Sequence, residues 1–297
     1  MQTLIVVAIA GLIAQLVDGS LGMGYGLTSS TLLIFAGLSP AAASASVHLA
    51  EVGTTALSGV AHHRFGNVDW QAVRRIAIPG GIGAFLGATL LSSLSTESAK
   101  PLASTLLFTL GIYVLLRFLL GKQRVNRKGR PGIRFLAPLG LIGGFVDATG
   151  GGGWGPVTTP TLLADGRLAP NRVVGTVSAS EFIVAISASA GFVTALGGQV
   201  LRMEFVAALL AGGFIAAPIA AYMVRHLNPR LLGVIVGGFI CFTNARTLLA
   251  TAGASDDAFR IVYGAIVIIW AVSLAYVVRA IRRERSTKRS RGLQSPD

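Results

Sequence analysis

The stretch Asp147-Ala-Thr-Gly150-Gly151-Gly152-Gly153-Trp154-Gly155-Pro156 interrupts an apolar run that extends from about residue 135 to residue 164. A spanning helix rises about 1.5 Å per residue and needs about 20 residues, so this run is too long for one crossing. An acidic residue followed by clustered glycines breaks it into a half-helix, an irregular turn and a second half-helix, because glycine admits left-handed backbone. The run at 4–36 is interrupted in the same manner by Asp18-Gly-Ser-Leu-Gly22-Met-Gly24-Tyr25-Gly26.

Laid side by side, Gly11–Ser58 and Gly140–Ala188 align as an internal repeat, the feature to seek before assigning a fold. Asp18 falls on Asp147, Gly22, Gly24 and Gly26 on Gly151, Gly153 and Gly155, and Tyr25 on Trp154. After a one-residue insertion Pro40 falls on Pro170, Ser46 on Thr176 and Glu51 on Glu181; further on, Gly80-Gly81 pairs with Gly212-Gly213 and Arg117 with Arg246. The remaining apolar runs, near 41–61, 76–94, 101–120, 171–195, 204–224, 229–250 and 259–278, are close to spanning length. The expected fold is therefore all-α and polytopic. Two homologous helical repeats, 1–121 and 135–250, flank a basic linker at 122–134, and an extra helix at 259–278 precedes a basic tail at 279–297.

Composition agrees: 53% of the 297 residues are hydrophobic, 12% are charged and the mean hydropathy is +0.69, which excludes a soluble domain. The net charge of +13 gathers at 122–134 and 279–291 without interleaved aromatics, a pattern that suits anionic lipid headgroups and not nucleic acid. Cys241 stands alone, so neither an intrachain disulfide nor a thiolate metal cluster can form, and the four histidines carry no metal signature. No cofactor and no resident metal are expected. The first apolar run lacks the flanks of a cleaved signal and reads as retained, and the tail from about Ser286 reads as disordered.

Loop charge then sets orientation. Placing Lys122, Arg124, Arg127, Lys128, Arg130 and Arg134 in the cytoplasm together with the basic tail requires an even number of crossings between them. Four result if 135–164 is a re-entrant hairpin, which also puts Arg167, Arg172, Arg225 and Arg230 inside and Asp256-Asp257 outside. The same treatment of 4–36 leaves Arg64, Arg74 and Arg75 inside and 37–42 outside, so the two repeats have opposite orientation. Broken helices meeting near the midplane are the plan of many secondary transporters.

The turns carry the expected chemistry. A helix start presents unpaired N–H donors and roughly half a positive charge, and irregular backbone at membrane depth survives where it lines a cavity. The candidate substrate-binding residues are thus Gly22, Gly24, Tyr25, Gly26 and Thr28 in one half and Gly151, Gly152, Gly153, Trp154, Gly155 and Thr158 in the other. Trp154 either walls the site or gates it. Gly80-Gly81 and Gly212-Gly213 read as close-packing residues. Glu51 and Glu181 lie mid-span, where a carboxyl group must be protonated, paired or wet. Each either carries a proton or holds a structural hydrogen bond. Asp18 and Asp147 either cap a half-helix or bind a coupling cation. His48, one turn before Glu51, either lines the pore or is a hydrogen-bonded packing histidine, and with its counterpart Ser178 it completes the coupling or pore-lining candidates.

With these motifs in place the chain resembles the TauE/SafE family, the group named for sulfite export. The resemblance rests on Gly150-Gly-Gly-Gly153 with Pro160 and Leu162, on Pro170, Val174-Gly175-Thr176 and Ser178, and on Gly22, Gly24, Pro40 and Ser46, and it spans about residues 5–278. It implies a multi-pass permease of the cell membrane that moves sulfur-containing anions such as sulfite or organosulfonates. The first half departs from the family's adjacent glycines, having Gly22-Met-Gly24-Tyr-Gly26, and carries His48 and Glu51. The expected function is secondary transport of a small anion, with proton coupling as a hypothesis and homo-oligomers compatible with the sequence. The alternative is a cation carrier using the four intramembrane carboxyl groups. An intramembrane aspartyl protease built on Asp18 and Asp147 ranks well below both, so no enzyme is expected.

Overall fold

A computed structural model describes residues 2–21, 23–120, 129–197, 203–223 and 229–292, and these form eleven helices. In chain order they are α1 (Gln2–Leu21), α2 (Tyr25–Phe35), α3 (Pro40–Arg64), α4 (Trp70–Ser93), α5 (Thr96–Leu120), α6 (Ile133–Gly150), α7 (Trp154–Asp165), α8 (Pro170–Leu196), α9 (Met203–Met223), α10 (Pro229–Thr251) and α11 (Asp256–Gly292). Both over-long apolar runs are broken where the glycines cluster, each into a longer and a shorter helix. Six of the described helices, α4, α5, α6, α8, α10 and α11, are long and apolar enough to cross a membrane. The protein is an all-helical, polytopic membrane protein. Gly22 and the linker residues Lys122, Arg124, Arg127 and Lys128 lie outside the described residues.

Local chemistry starts the helices. The Ser39 hydroxyl accepts the Ala42 N–H ahead of Pro40, whose missing N–H costs nothing at a helix start. Asp69 Oδ1 accepts from Gln71 and Ala72 (3.1 and 3.0 Å) to open α4. Helices then pack where glycine lets backbones meet: α1 lies along α9, α4 along α6 and α8, α5 along α10, and α3 along α8. A Cβ on Gly144 would sit 2.0 Å from the Gly80 carbonyl oxygen, and one on Gly212 would sit 2.0 Å from that of Ala8. Apolar side chains of α4 and α11, among them Ile78, Ile82, Ile261, Ile268 and Val272, remain exposed for lipid to cover.

Asp69 meets two arginines at one end of the bundle. Its carboxylate meets Arg130, just before α6, at 3.1 Å and Arg172, in the first turn of α8, at 4.0 Å. The segment just before α6 and the first turn of α8 therefore meet at one carboxylate. Arg75 donates to the Pro131 carbonyl beside them (3.1 Å). Asp69→Ala, which removes the α4 cap as well as both ion pairs, is expected to cost about 1–2 kcal/mol. Thermal denaturation of the purified protein measures it, and an unchanged melting temperature would deny Asp69 this role.

At the chain's far end the structure differs from expectation. α11 runs on to Gly292, through part of the tail that reads as disordered from Ser286. Residues 265–291 contain no glycine or proline and are rich in arginine and other helix formers at their end, so nothing local stops the helix before Gly292.

Candidate functional site

Asp147 organises one interruption with both its carbonyl and its carboxylate. Its carbonyl accepts from Gly151 and Gly152 (2.7 and 2.9 Å), which ends α6 on a left-handed Gly151 at φ 77°. Its Oδ1 accepts from Gly153 and Trp154 (2.6 and 2.9 Å), which starts α7. In the other interruption Gly24 precedes α2 at φ 116°, and the Asp18 carboxylate takes the Tyr25 N–H. Asp18 thus stands seven residues before its N–H partner, as Asp147 stands before Trp154. Both acidic residues act as helix caps.

The two turns touch backbone to backbone. A Cβ on Gly152 would lie 2.0 Å from Leu27 N, one on Gly26 would lie 2.8 Å from Gly152 Cα, and one on Gly155 would lie 3.0 Å from Met23 Cβ. Two serines tie the junction. Ser30 donates to the Gly151 carbonyl, and Ser44 donates to that of Ala148 at 2.7 Å. These serines are absent from the sequence-derived candidates; the one hint was their place in the polar run after Gly26 and in the small-residue start of α3.

Between the turns lies a narrow cleft lined by Gly24, Gly26, Glu51, Asp147, Gly152, Gly153, Trp154, Gly155 and Glu181, with Leu27 and Pro156 completing it. Its walls leave no room for a water-sized sphere. The first-turn N–H groups of α2 and α7 have no acceptor within their own helices, so two positive helix ends face this space. Glu51 is 2% exposed; its Oε1 lies against Gly26 and its Oε2 has no hydrogen-bond partner. Asp18, Asp147 and Glu181 are all within electrostatic reach of Glu51.

His48, fully buried on α3, pairs with Asp147 across the junction. Its Nδ1 lies 2.8 Å from the Ser44 carbonyl, which can only accept, so Nδ1 carries a proton. Its Nε2 lies 3.1 Å from Asp147 Oδ2, a separation that needs one proton between the two atoms. That proton sits on His48 with Asp147 ionised, or on Asp147 with His48 neutral. The pair is net neutral in both cases. Ligand atoms of His48, Glu51 and Asp147 all lie within 4.8 Å of one another.

Other candidates sit elsewhere. Trp154 is wholly buried, its ring against Gly80 and its Nε1 donating to the Val177 carbonyl (3.2 Å). Tyr25 is buried with its hydroxyl unpartnered. Thr158 Oγ1 donates to the Trp154 carbonyl (2.5 Å), whereas Thr28 Oγ1 is buried without a partner; neither lines the cleft. Ser178 donates to Ser58 (2.7 Å) and lies off the cleft, as does Gly151, whose carbonyl is held by Ser30.

Spanning helices around two interrupted ones that meet inside the bundle define a multi-pass membrane transporter. The chain belongs to the sulfite exporter TauE/SafE family, whose model matches residues 7–247. It is similar to a Bacillus subtilis protein named "Probable membrane transporter protein YtnM", at 53% identity over 290 residues covering 97% of each chain. No solved structure matches it.

Proposed function

We propose that the chain is a proton-coupled secondary transporter of a small sulfur-containing anion, sulfite or an organosulfonate, bound in the cleft between α2 and α7. The observation that carries this reading is the junction of two helix starts over one cleft, since paired positive helix ends suit an oxyanion. The carboxyl groups nearby must then be neutral or paired as the anion enters. His48 and Asp147 meet that condition as a pair, and Glu51, with an unpartnered oxygen, meets it by taking a proton and donating it to the anion. Family membership adds the sulfur-containing class. On this reading α1–α5 and α6–α10 are inverted copies spanning 1–121 and 135–250, α11 is an addition, and the basic linker and tail meet cytoplasmic headgroups. The equal seven-residue capping offset and the packing of α1 on α9 and of α6 on α4 support it.

Purified protein in proteoliposomes should take up sulfite in a saturable manner, faster when a pH gradient is imposed. Glu51→Gln should keep exchange of sulfite across the membrane but lose its acceleration by the gradient. Sulfite flux indifferent to pH in the wild type would remove the coupling. A second reading, cation transport, draws on the His48, Glu51 and Asp147 ligand atoms within 4.8 Å of one another. Against it, the two helix starts repel a cation and Asp147 already accepts two backbone N–H groups. Saturable flux of sodium or a divalent cation without any sulfite flux would establish it instead.

A further inference from the structure

At the opposite end of α2 from the cleft lies a larger cavity of about 280 Å³, lined by Phe35 of α2, Phe242, Thr243 and Arg246 of α10, and Phe259 and Tyr263 of α11. Its walls are aromatic. Phe242 meets Tyr263 edge to face with centroids 4.7 Å apart, Phe259 stacks on Tyr263 at 6.2 Å, and the Arg246 guanidinium lies 5.8 Å from the Phe35 ring centroid. Two polar groups have unmet capacity. The Tyr263 hydroxyl is buried without a hydrogen-bond partner, within electrostatic reach of Arg246. Among the described residues no carboxylate is within ion-pair distance of Arg246. Thr243 is already engaged with the carbonyls of Phe239 and Ile240.

A guanidinium and an orphan hydroxyl set among three phenylalanines fit an oxyanion carried on an apolar body. A bare inorganic anion would leave the aromatic walls without a partner, and a cation would face Arg246. The cavity and the cleft both draw on α2. Phe35 stands nine residues after Gly26 of the cleft, about 14 Å along the helix. Between them Asn244 of α10 donates to Thr31 of α2 (3.2 Å), tying the two helices together. We propose that this cavity is a loading site for small organic anions, in which Arg246 and Tyr263 hold the acidic head and Phe35, Phe242 and Phe259 hold the apolar part. The proposal rests on the anion reading of the central cleft and extends it to the substrate's organic portion.

The same chemistry describes a soluble alkylsulfonate and an anionic lipid headgroup, and the test separates them. Equilibrium dialysis of the purified full chain in a neutral detergent uses butanesulfonate as the probe, with phosphatidylglycerol added in a parallel arm. Butanesulfonate should bind the wild type, about tenfold more weakly to Arg246→Gln and severalfold more weakly to Tyr263→Phe, at unchanged melting temperature. Sulfite exchange flux, read on the same variants, should persist, because the cleft is intact. Butanesulfonate affinity equal in Arg246→Gln and wild type overturns the loading site while leaving the cleft's anion reading standing. Absence of all sulfite and butanesulfonate flux with Arg246-dependent binding intact strikes the cleft reading instead. Arg246-dependent binding of phosphatidylglycerol without any of butanesulfonate overturns the proposal in favour of a lipid site.

Discussion

Gly152→Ala is expected to abolish anion flux in proteoliposomes and to lower the melting temperature of the purified protein. Gly152 has φ 155°, and its added Cβ would fall 2.0 Å from Leu27 N and 2.1 Å from Gly26 C. Both atoms are backbone, so no flexible side chain can swing aside. Overpacking of this kind costs about 1–3 kcal/mol, and forcing an L-residue into that region of φ adds about 1–3 kcal/mol more. Relief can come only by parting the two turns, and that displaces the helix starts proposed to hold the anion. Gly37→Ala is the control. Gly37 has φ 99°, but a Cβ there meets nothing within 4 Å, so only backbone strain remains and flux should stay near wild type. Normal flux by Gly152→Ala would show that the close contact of the turns is dispensable.

Asp147→Ala should be the most destabilising single change at the site. It strips the acceptor from the Gly153 and Trp154 N–H groups and leaves His48 Nε2 facing an empty, buried space. Removing one partner of a buried pair costs about 3–5 kcal/mol. Asp147→Asn is gentler, because its amide oxygen still caps α7 and its amide N–H can donate to a neutral His48. That variant should fold with a melting temperature near wild type and keep sulfite flux driven by a pH gradient, since its amide beside a neutral His48 is still net neutral and the proposed coupling proton is carried by Glu51. Asp18→Ala should cost less than Asp147→Ala. Among the described residues no histidine pairs with Asp18, whose carboxylate takes the Tyr25 N–H, so there is no such pair to break. Equal melting-temperature losses for the two alanine variants would mean that the His48 pair adds nothing.

Much of the architecture was readable because its signals are local. Run length and hydropathy located α4, α5, α8, α10 and α11, although the 41–61 run, also close to spanning length, became α3, which is not among the six helices long and apolar enough to cross. Glycine clusters after Asp18 and Asp147 placed both interruptions within a few residues. The capping reading of both acidic residues was available from their position before a helix start. The extension of α11 was less legible, since a polar, basic composition signals disorder even where the helix ladder can simply continue from the membrane. The site was legible only in outline. Of the coupling or pore-lining candidates Asp18, His48, Glu51, Asp147, Ser178 and Glu181, the structure places Glu51, Asp147 and Glu181 in the lining of the cleft. Nothing in residue spacing could assign His48 to Asp147, which is 99 positions away. Ser30, Ser44 and Asp69 escaped notice because each bonds to a distant backbone or loop that only packing brings near. The aromatic cavity was equally hidden: its six lining residues come from three helices and follow no motif.

By itself, then, the sequence determined that this is a helical membrane protein with two interrupted helices, and its motifs pointed to the transporter family to which it belongs. Hydropathy, glycine and capping carboxylates act on their own few residues and need no partner. The tertiary structure alone decided that Gly152 lies against Gly26, that His48 and Asp147 share one proton, that Trp154 is locked to the Val177 carbonyl and that Glu51 keeps an oxygen unpartnered. Those relations depend on backbones approaching to contact across helices far apart in the chain, and no local pattern encodes such a distance.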